Sequence, residues 1–215
     1  EPSDPDKRPR LALLTSLPLV FSESFGLEGG GSPALTNLEQ HYQVQPIGVA
    51  DTESLKGHRL LLMAHPRAQP SEVLVELDRW VRDGGKLVLL ADPKLEWPSE
   101  RPLGDRLRPP PAFADTGLLR HWGLKLIAPQ KPGPVRLGGG HNPILYFSPG
   151  RLVSTNPDCL LSRADITAEC PIGRGKVAIV ADADFLNVEA LGEYGIIPGN
   201  QTGELIELLE SIQTH

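Results

Sequence analysis

The chain has 215 residues, 40% of them hydrophobic, and a formal net charge of −6. That length suits one α/β domain, and the hydrophobic share supplies a sizeable core, which excludes a chain disordered throughout. The acidic balance and the lack of a Lys/Arg stripe argue against a nucleic-acid partner. No apolar run reaches the roughly 18 residues that a membrane helix needs.

Residues 1–9 read as a polar tether, and residues 10–215 as a single domain. The chain begins at Glu1 without a methionine, which leaves room for a signal peptide or membrane helix ahead of it in a longer protein. RLALLT (10–15) is the first strand, expected near the middle of a sheet, with Ser16 at its C-terminal end. GLEGGGS (26–32) is a Gly-rich loop, but neither GxGxxG nor GxxxxGK[ST] occurs and the loop lies far from the strand end, so a phosphate cradle is not expected. Residues 33–38 suit a short helix. YQVQPI (42–47) alternates as a strand, placed at an edge because Pro46 cannot donate to a ladder.

Residues 59–93 carry the clearest organisation. LLLMA (60–64) is a continuous apolar run, as a parallel strand buried on both faces requires. A helix follows from Pro70-Ser71, with Ser71 positioned as its cap and Val73, Leu74, Leu77, Trp80 and Val81 on one apolar face. Asp83-Gly84-Gly85 ends it, and KLVLL (86–90) is a second buried strand that closes in Ala91-Asp92-Pro93. This is a βαβ unit. Residues 94–113, rich in proline, arginine and acidic residues, read as an insertion forming a solvated surface connection, with Trp97 and Phe113 the features that suit a binding loop.

Residues 115–122 suggest a helix ended by Gly123, and LKLI (124–127) a short strand; residues 129–142 are expected as a loop. The segments at 144–147, 152–154, 159–162 and 166–170 are β-like and suggest a small antiparallel patch on the main sheet. KVAIVA (176–181) is a strongly buried strand running into Asp182-Ala183-Asp184-Phe185, and residues 203–212 form a closing helix. Cys159 and Cys170 fit either a disulfide across a hairpin turn or two buried thiols; a disulfide would suit an oxidising compartment.

Ligands of an open parallel sheet bind beyond the carboxyl ends of its strands. The sequence places Thr15 and Ser16, His65 and Arg67, Asp92, and Asp182 and Asp184 there. Ser16, His65, Arg67, Asp92, Asp182 and Asp184 are therefore the ligand-binding candidates. Carboxylates beside a histidine could bind a cation or serve as acid and base. The plainer reading is that the aspartates cap adjacent turns. No metal motif such as HExxH and no GxSxG elbow occurs, so no catalytic residue, metal or cofactor is assigned. His41, His58, His121, His141 and His215 fall in loop-like or surface settings and read as solvated.

Four stretches together resemble one family. PSEVLVELDRWVRDGGKLVLLADP, GRGKVAIVADADFL, RLALLTSLPL and LLRHWGLKL are similar to segments of the soluble domain of GldG-type accessory proteins of ABC transport systems, including systems linked to gliding motility. The resemblance implies a three-layer α/β fold, mostly parallel and flavodoxin-like or class I glutamine amidotransferase-like, with a small antiparallel extension. It implies an extracytoplasmic, periplasmic domain tied to a membrane only by segments outside this chain. Its partners would be proteins of the transport system or a small polar ligand. Enzymes of the amidotransferase class carry a cysteine nucleophile at the elbow after the strand matching 86–90. Here that elbow is Ala91-Asp92-Pro93, and a carboxylate cannot replace a thiolate in that chemistry. The implied role is a non-catalytic binding domain, with a hydrolase or metal-dependent enzyme built on the carboxylates as the alternative.

Overall fold

A computed structural model describes residues 7–20, 31–138, 143–188 and 198–214. Most of the proposed tether, most of the Gly-rich loop, part of the 138–140 glycine run, His141 and His215 lie outside these residues. The central element is a seven-stranded sheet. Its strands are β1 (Arg10–Thr15), β2 (Gln43–Pro46), β3 (Leu60–Ala64), β4 (Lys86–Leu90), β9 (Leu160–Ser162), β10 (Thr167–Ile172) and β11 (Gly175–Val180), in the order β2-β1-β3-β4-β11-β10-β9. The first five in that order run parallel; β10 and β9 add an antiparallel hairpin to one edge. The parallel part has the flavodoxin-like order 2-1-3-4-5, with β11 as its fifth strand. β1 lies inside the sheet, second from the edge, and β2 is the edge that Pro46 predicts.

Alternation along each strand splits the core into two layers. Leu11, Leu13, Leu60, Leu62, Val88, Leu90, Ala178 and Val180 face one side. There they meet Ala34, Leu35 and Leu38 of α1 (Pro33–His41) and Leu205, Ile206 and Leu209 of α4 (Pro198–Ser211). Ala12, Leu61, Met63, Leu87, Leu89, Val177 and Ile179 face the other side. They pack against Val73, Leu77 and Val81 of α2 (Ser71–Arg82), and that layer also holds Leu118, Leu119 and Trp122. Two helical layers around one sheet bury β3 and β4 on both faces, which is why their sequences are apolar without interruption.

Several boundaries differ from the sequence reading. Ser71 is the first helical residue of α2 and makes no capping bond; its hydroxyl donates to Glu72, and the cap position is Pro70. Ser32, in contrast, caps α1 by accepting from the Leu35 N–H. The helix expected over 115–122 shrinks to α3 (Leu118–His121), because Gly117 takes a φ of 105° and Asp115 accepts its N–H in a turn. Residues 134–137, expected as loop, form β6 (Pro134–Leu137) against β7 (Ile144–Phe147). β5 (Leu124–Ile127) pairs with β8 (Arg151–Ser154). Both pairs are separate two-stranded ladders, so only β9 and β10 extend the main sheet. α4 starts earlier than expected.

Cys159 and Cys170 are bonded, with their Cα atoms 4.2 Å apart across the β9–β10 hairpin. The ladder pairs Leu160 with Glu169, so the next pair outward is the two cysteines. Two glycines allow the close packing at the amino-terminal edge of the parallel strands. Gly84 takes a φ of 111° where α2 turns into β4. A Cβ on Gly175 would stand 2.0 Å from the Val81 carbonyl oxygen, so β11 can begin there only as glycine.

Candidate functional site

The register sets what meets at the carboxyl ends of the strands. Val180 pairs with Leu90, so the residues that follow, Asp182 and Asp92, emerge side by side. Asp184 joins them from the 3₁₀ turn Asp184–Leu186. All three are buried: Asp92 and Asp182 have no exposed surface and Asp184 is 3% exposed.

Their oxygens are mostly claimed by the backbone. Asp92 accepts from the N–H groups of Lys94 and Ala183, both at 2.8 Å. Asp182 accepts from Phe185 at 2.9 Å and Phe147 at 2.8 Å. Asp184 accepts from Glu96 at 2.7 Å and shares a side-chain hydrogen bond with Asp92. Burial pushes the Asp92 carboxyl up to about 6, against the lowering effect of its backbone bonds. Burial, aided by the Asp92 charge, pushes Asp184 up to about 8. Asp182 is held well above the usual carboxylate range by burial and by the two neighbouring aspartates. The cluster therefore retains protons near neutrality and fastens loops. No group of three or more His, Cys, Asp or Glu side chains among the described residues is arranged to hold a metal ion.

His65 does not join the carboxylates. It has no exposed surface, a φ of 47°, and a ring Nε2 2.8 Å from the Pro110 carbonyl oxygen. A carbonyl only accepts, so Nε2 carries the proton, and burial keeps the ring below its ordinary pKa and neutral. Its own carbonyl accepts from the Ser16 hydroxyl. His58, read as solvated, is likewise buried at 6% exposure, and burial lowers its pKa too.

Ser16 and Arg67 meet elsewhere. In the order β2-β1-β3-β4 the chain direction across the sheet reverses between β1 and β3, and at such a switch point a crevice opens. A cavity of about 380 Å³ lies there. β1 and its exit supply Leu13, Thr15, Ser16, Leu17, Pro18 and Val20, and the end of β2 supplies Pro46 and Ile47. Arg67 follows β3, and the 94–113 insertion contributes Arg101, Arg106 and Leu107. Thr15 donates to the Ala64 carbonyl and accepts the Leu17 N–H, which shapes the rim. Arg67 donates to the Arg108 carbonyl, tying the insertion over the cavity.

Of the six candidates, then, Ser16 and Arg67 line a cavity, His65 lies outside that lining and accepts the Ser16 hydroxyl through its carbonyl, and the three aspartates form a separate buried cluster. Sequence reasoning did not single out Arg101 and Arg106. The available signal was the arginine content of 94–113, which a solvated-loop reading absorbs. That segment is not merely solvated: Leu95 and Trp97 pack on one core layer and Phe113 on the other.

No protein-family model matches the sequence, and no curated protein does. Solved structures match in fold. The mmIFT52 N-terminal domain aligns with a TM-score of 0.57 at 13% identity, covering 95% of this chain and 98% of that one. The cytoplasmic protein STM3548 from Salmonella typhimurium gives a TM-score of 0.57 at 10% identity, covering 94% and 98%. The exo-beta-1,4-mannosidase Op5Man5 from Opitutaceae bacterium strain TAV5 gives 0.56 at 12% identity; the match covers 93% of this chain but 36% of the mannosidase. At these identities the likeness is one of architecture: a three-layer α/β fold around a mostly parallel sheet.

Proposed function

We propose that this chain is a non-catalytic, extracytoplasmic binding domain of a GldG-type accessory protein of an ABC transport system. The observation that carries the non-catalytic part is Asp92. It occupies the elbow after β4 where an amidotransferase-like enzyme would hold its nucleophile, with no exposed surface and with both oxygens accepting backbone N–H groups. A group so placed reaches no substrate. The disulfide between β9 and β10 suits an oxidising compartment. The transport assignment rests on the four sequence stretches that resemble that family. The partner is a protein of the transport system or a small polar ligand, met at the carboxyl edge of the sheet, and membrane attachment comes from segments outside this chain. The structural neighbours include a mannosidase and two proteins whose names state no activity, all under 15% identical, so the fold carries no activity over.

The test has two arms. The full-length protein, tagged in its native membrane, is expected to co-purify with an ABC ATPase and permease, and the domain is expected to show no turnover of glutamine, ester or peptide substrates. Turnover that disappears in Asp92→Asn would overturn the reading in favour of a carboxylate-dependent hydrolase. The raised Asp92 and Asp184 carboxyls are the one feature such an enzyme would share; their burial and backbone bonding favour a structural role.

A further inference from the structure

We infer that the cavity over the β1/β3 switch point binds a small organic anion, a carboxylate or phosphate head on an apolar body, with the head held by Arg67, Arg101 and Arg106. The inference deepens the binding-domain reading and rests on it. Three observations carry it.

The first is charge. Among the described residues, every charged side chain lining the cavity is an arginine, in a chain whose net charge is −6. Asp105 is a carboxylate beside Arg101, 3.8 Å from its guanidinium and also accepting the Leu107 N–H. It pairs with the Arg101 guanidinium, while Arg67 and Arg106 are the other charged side chains that line the cavity among the described residues. Arg67 spends one N–H on the Arg108 carbonyl, and a guanidinium has five to offer, in a fork that matches carboxylate or phosphate oxygens. The second is the apolar lining. Leu13, Leu17, Val20 and Ile47 give the cavity an apolar side, which inorganic phosphate would leave unused. The third is the hydroxyl inventory. The Ser16 proton is already donated to the His65 carbonyl, so Ser16 can only accept, and it suits a ligand hydroxyl rather than a second anionic oxygen. A volume of about 380 Å³ is that of a small-molecule site.

The test is calorimetric titration of the domain with phenyl phosphate, octanoate, inorganic phosphate and the uncharged phenyl glucoside. At least one of the two organic anions should bind, with inorganic phosphate and phenyl glucoside at least tenfold weaker. The stronger of the two identifies the head group. Arg67→Gln and Arg106→Gln should each weaken it about tenfold, the worth of one charge-assisted hydrogen bond. Both arginines are exposed, so neither change threatens the core. Arg174→Gln, on the β10–β11 turn at the opposite end of the sheet and paired with Asp83 at 3.2 Å, should leave binding unchanged. Failure of both organic anions to bind, or equal weakening by Arg174→Gln, would overturn the site. That failure is distinct from failure of the binding-domain reading: loss of the site with transport partners still co-purifying removes only the ligand, whereas turnover of phenyl phosphate would keep the site and remove the non-catalytic role.

Discussion

Replacing Asp184 by Asn should make the protein less sensitive to alkali, and the size of the effect follows from the carboxylate cluster. Asp184 sits against Asp92, is 3% exposed, and titrates at about 8 against an ordinary 3.8. Below about pH 4 both folded and unfolded chains hold the proton, and the group does not discriminate between them. Between that pH and about 8 the unfolded chain has released the proton while the folded chain keeps it. Stability therefore falls as pH rises, by about 1.4 kcal/mol per pH unit for one retained proton, and levels off above the folded value. From pH 5 to pH 8 the ceiling for Asp184 is about 4 kcal/mol, and relaxation of the site brings the expectation to roughly 2–4 kcal/mol. An asparagine can still accept the Glu96 N–H and can donate to Asp92, whose carboxylate charge no longer acts on a second titrating group at position 184. The assay is urea unfolding followed by tryptophan fluorescence at pH 5, 6.5 and 8. At pH 5 the variant should match the parent within about 1 kcal/mol, and its relative stability should climb by about 2 kcal/mol or more at pH 8. Taking the difference between the two proteins removes the opposite contribution of His58 and His65, whose depressed pKa values cost stability at low pH. Parallel curves for the two proteins from pH 5 to pH 8 would show that Asp184 does not retain a proton in the fold.

Three further changes probe the scaffold. Gly175→Ala forces a Cβ to within 2.0 Å of the Val81 carbonyl and 2.3 Å of the Gly85 carbonyl; backbone cannot yield as a side chain does, so a loss of about 3 kcal/mol or more in urea unfolding is expected. Removing the disulfide by Cys159→Ala with Cys170→Ala opens a short loop and should cost about 2–3 kcal/mol. Reductant should lower the parent's midpoint and leave the variant's untouched. Trp122→Phe deletes the 2.8 Å bond from the indole N–H to Asp78, and the expected cost is about 1–2 kcal/mol. Asp78→Asn added to that variant should cost less than it does in the parent, as a double-mutant cycle would read.

The parallel core was legible because burial on both faces writes itself into sequence as uninterrupted apolar runs: LLLMA and KLVLL have no other comfortable place. Helix α2 was legible from its period, and β2 from the proline that no interior strand tolerates. What could not be read was pairing. β5 and β8 look as strand-like as β9 and β10, yet only the second pair joins the main sheet, and nothing local in a four-residue strand states its partner. The helix at 115–122 failed because the apolar spacing there is short enough to be satisfied by one turn, and Gly117 with Asp115 offers a competing turn. The cysteine pairing was open between two states, and the hairpin register decides it.

The site divides along a similar line. Position at a strand end found the polar residues, but it could not distinguish those that face a ligand from those that hold the structure facing it. The contacts of the 94–113 insertion make the division. Its start is fastened by Asp92 to Lys94, by Asp184 to Glu96, and by Glu96 to the Ser148 hydroxyl. Its end is fastened by Arg67 to Arg108, by His65 to Pro110, and by the Phe113 N–H to the Asp92 carbonyl. A twenty-residue connection without regular structure would ordinarily be mobile. Here the buried aspartates and histidine grip both of its ends, and the span between them carries Arg101 and Arg106 to the rim of the switch-point cavity. Burial of the strand-end polar residues is in this fold the sign of an anchor. The side chains that line the cavity are instead the exposed Arg67 and Arg106 and the half-buried Arg101.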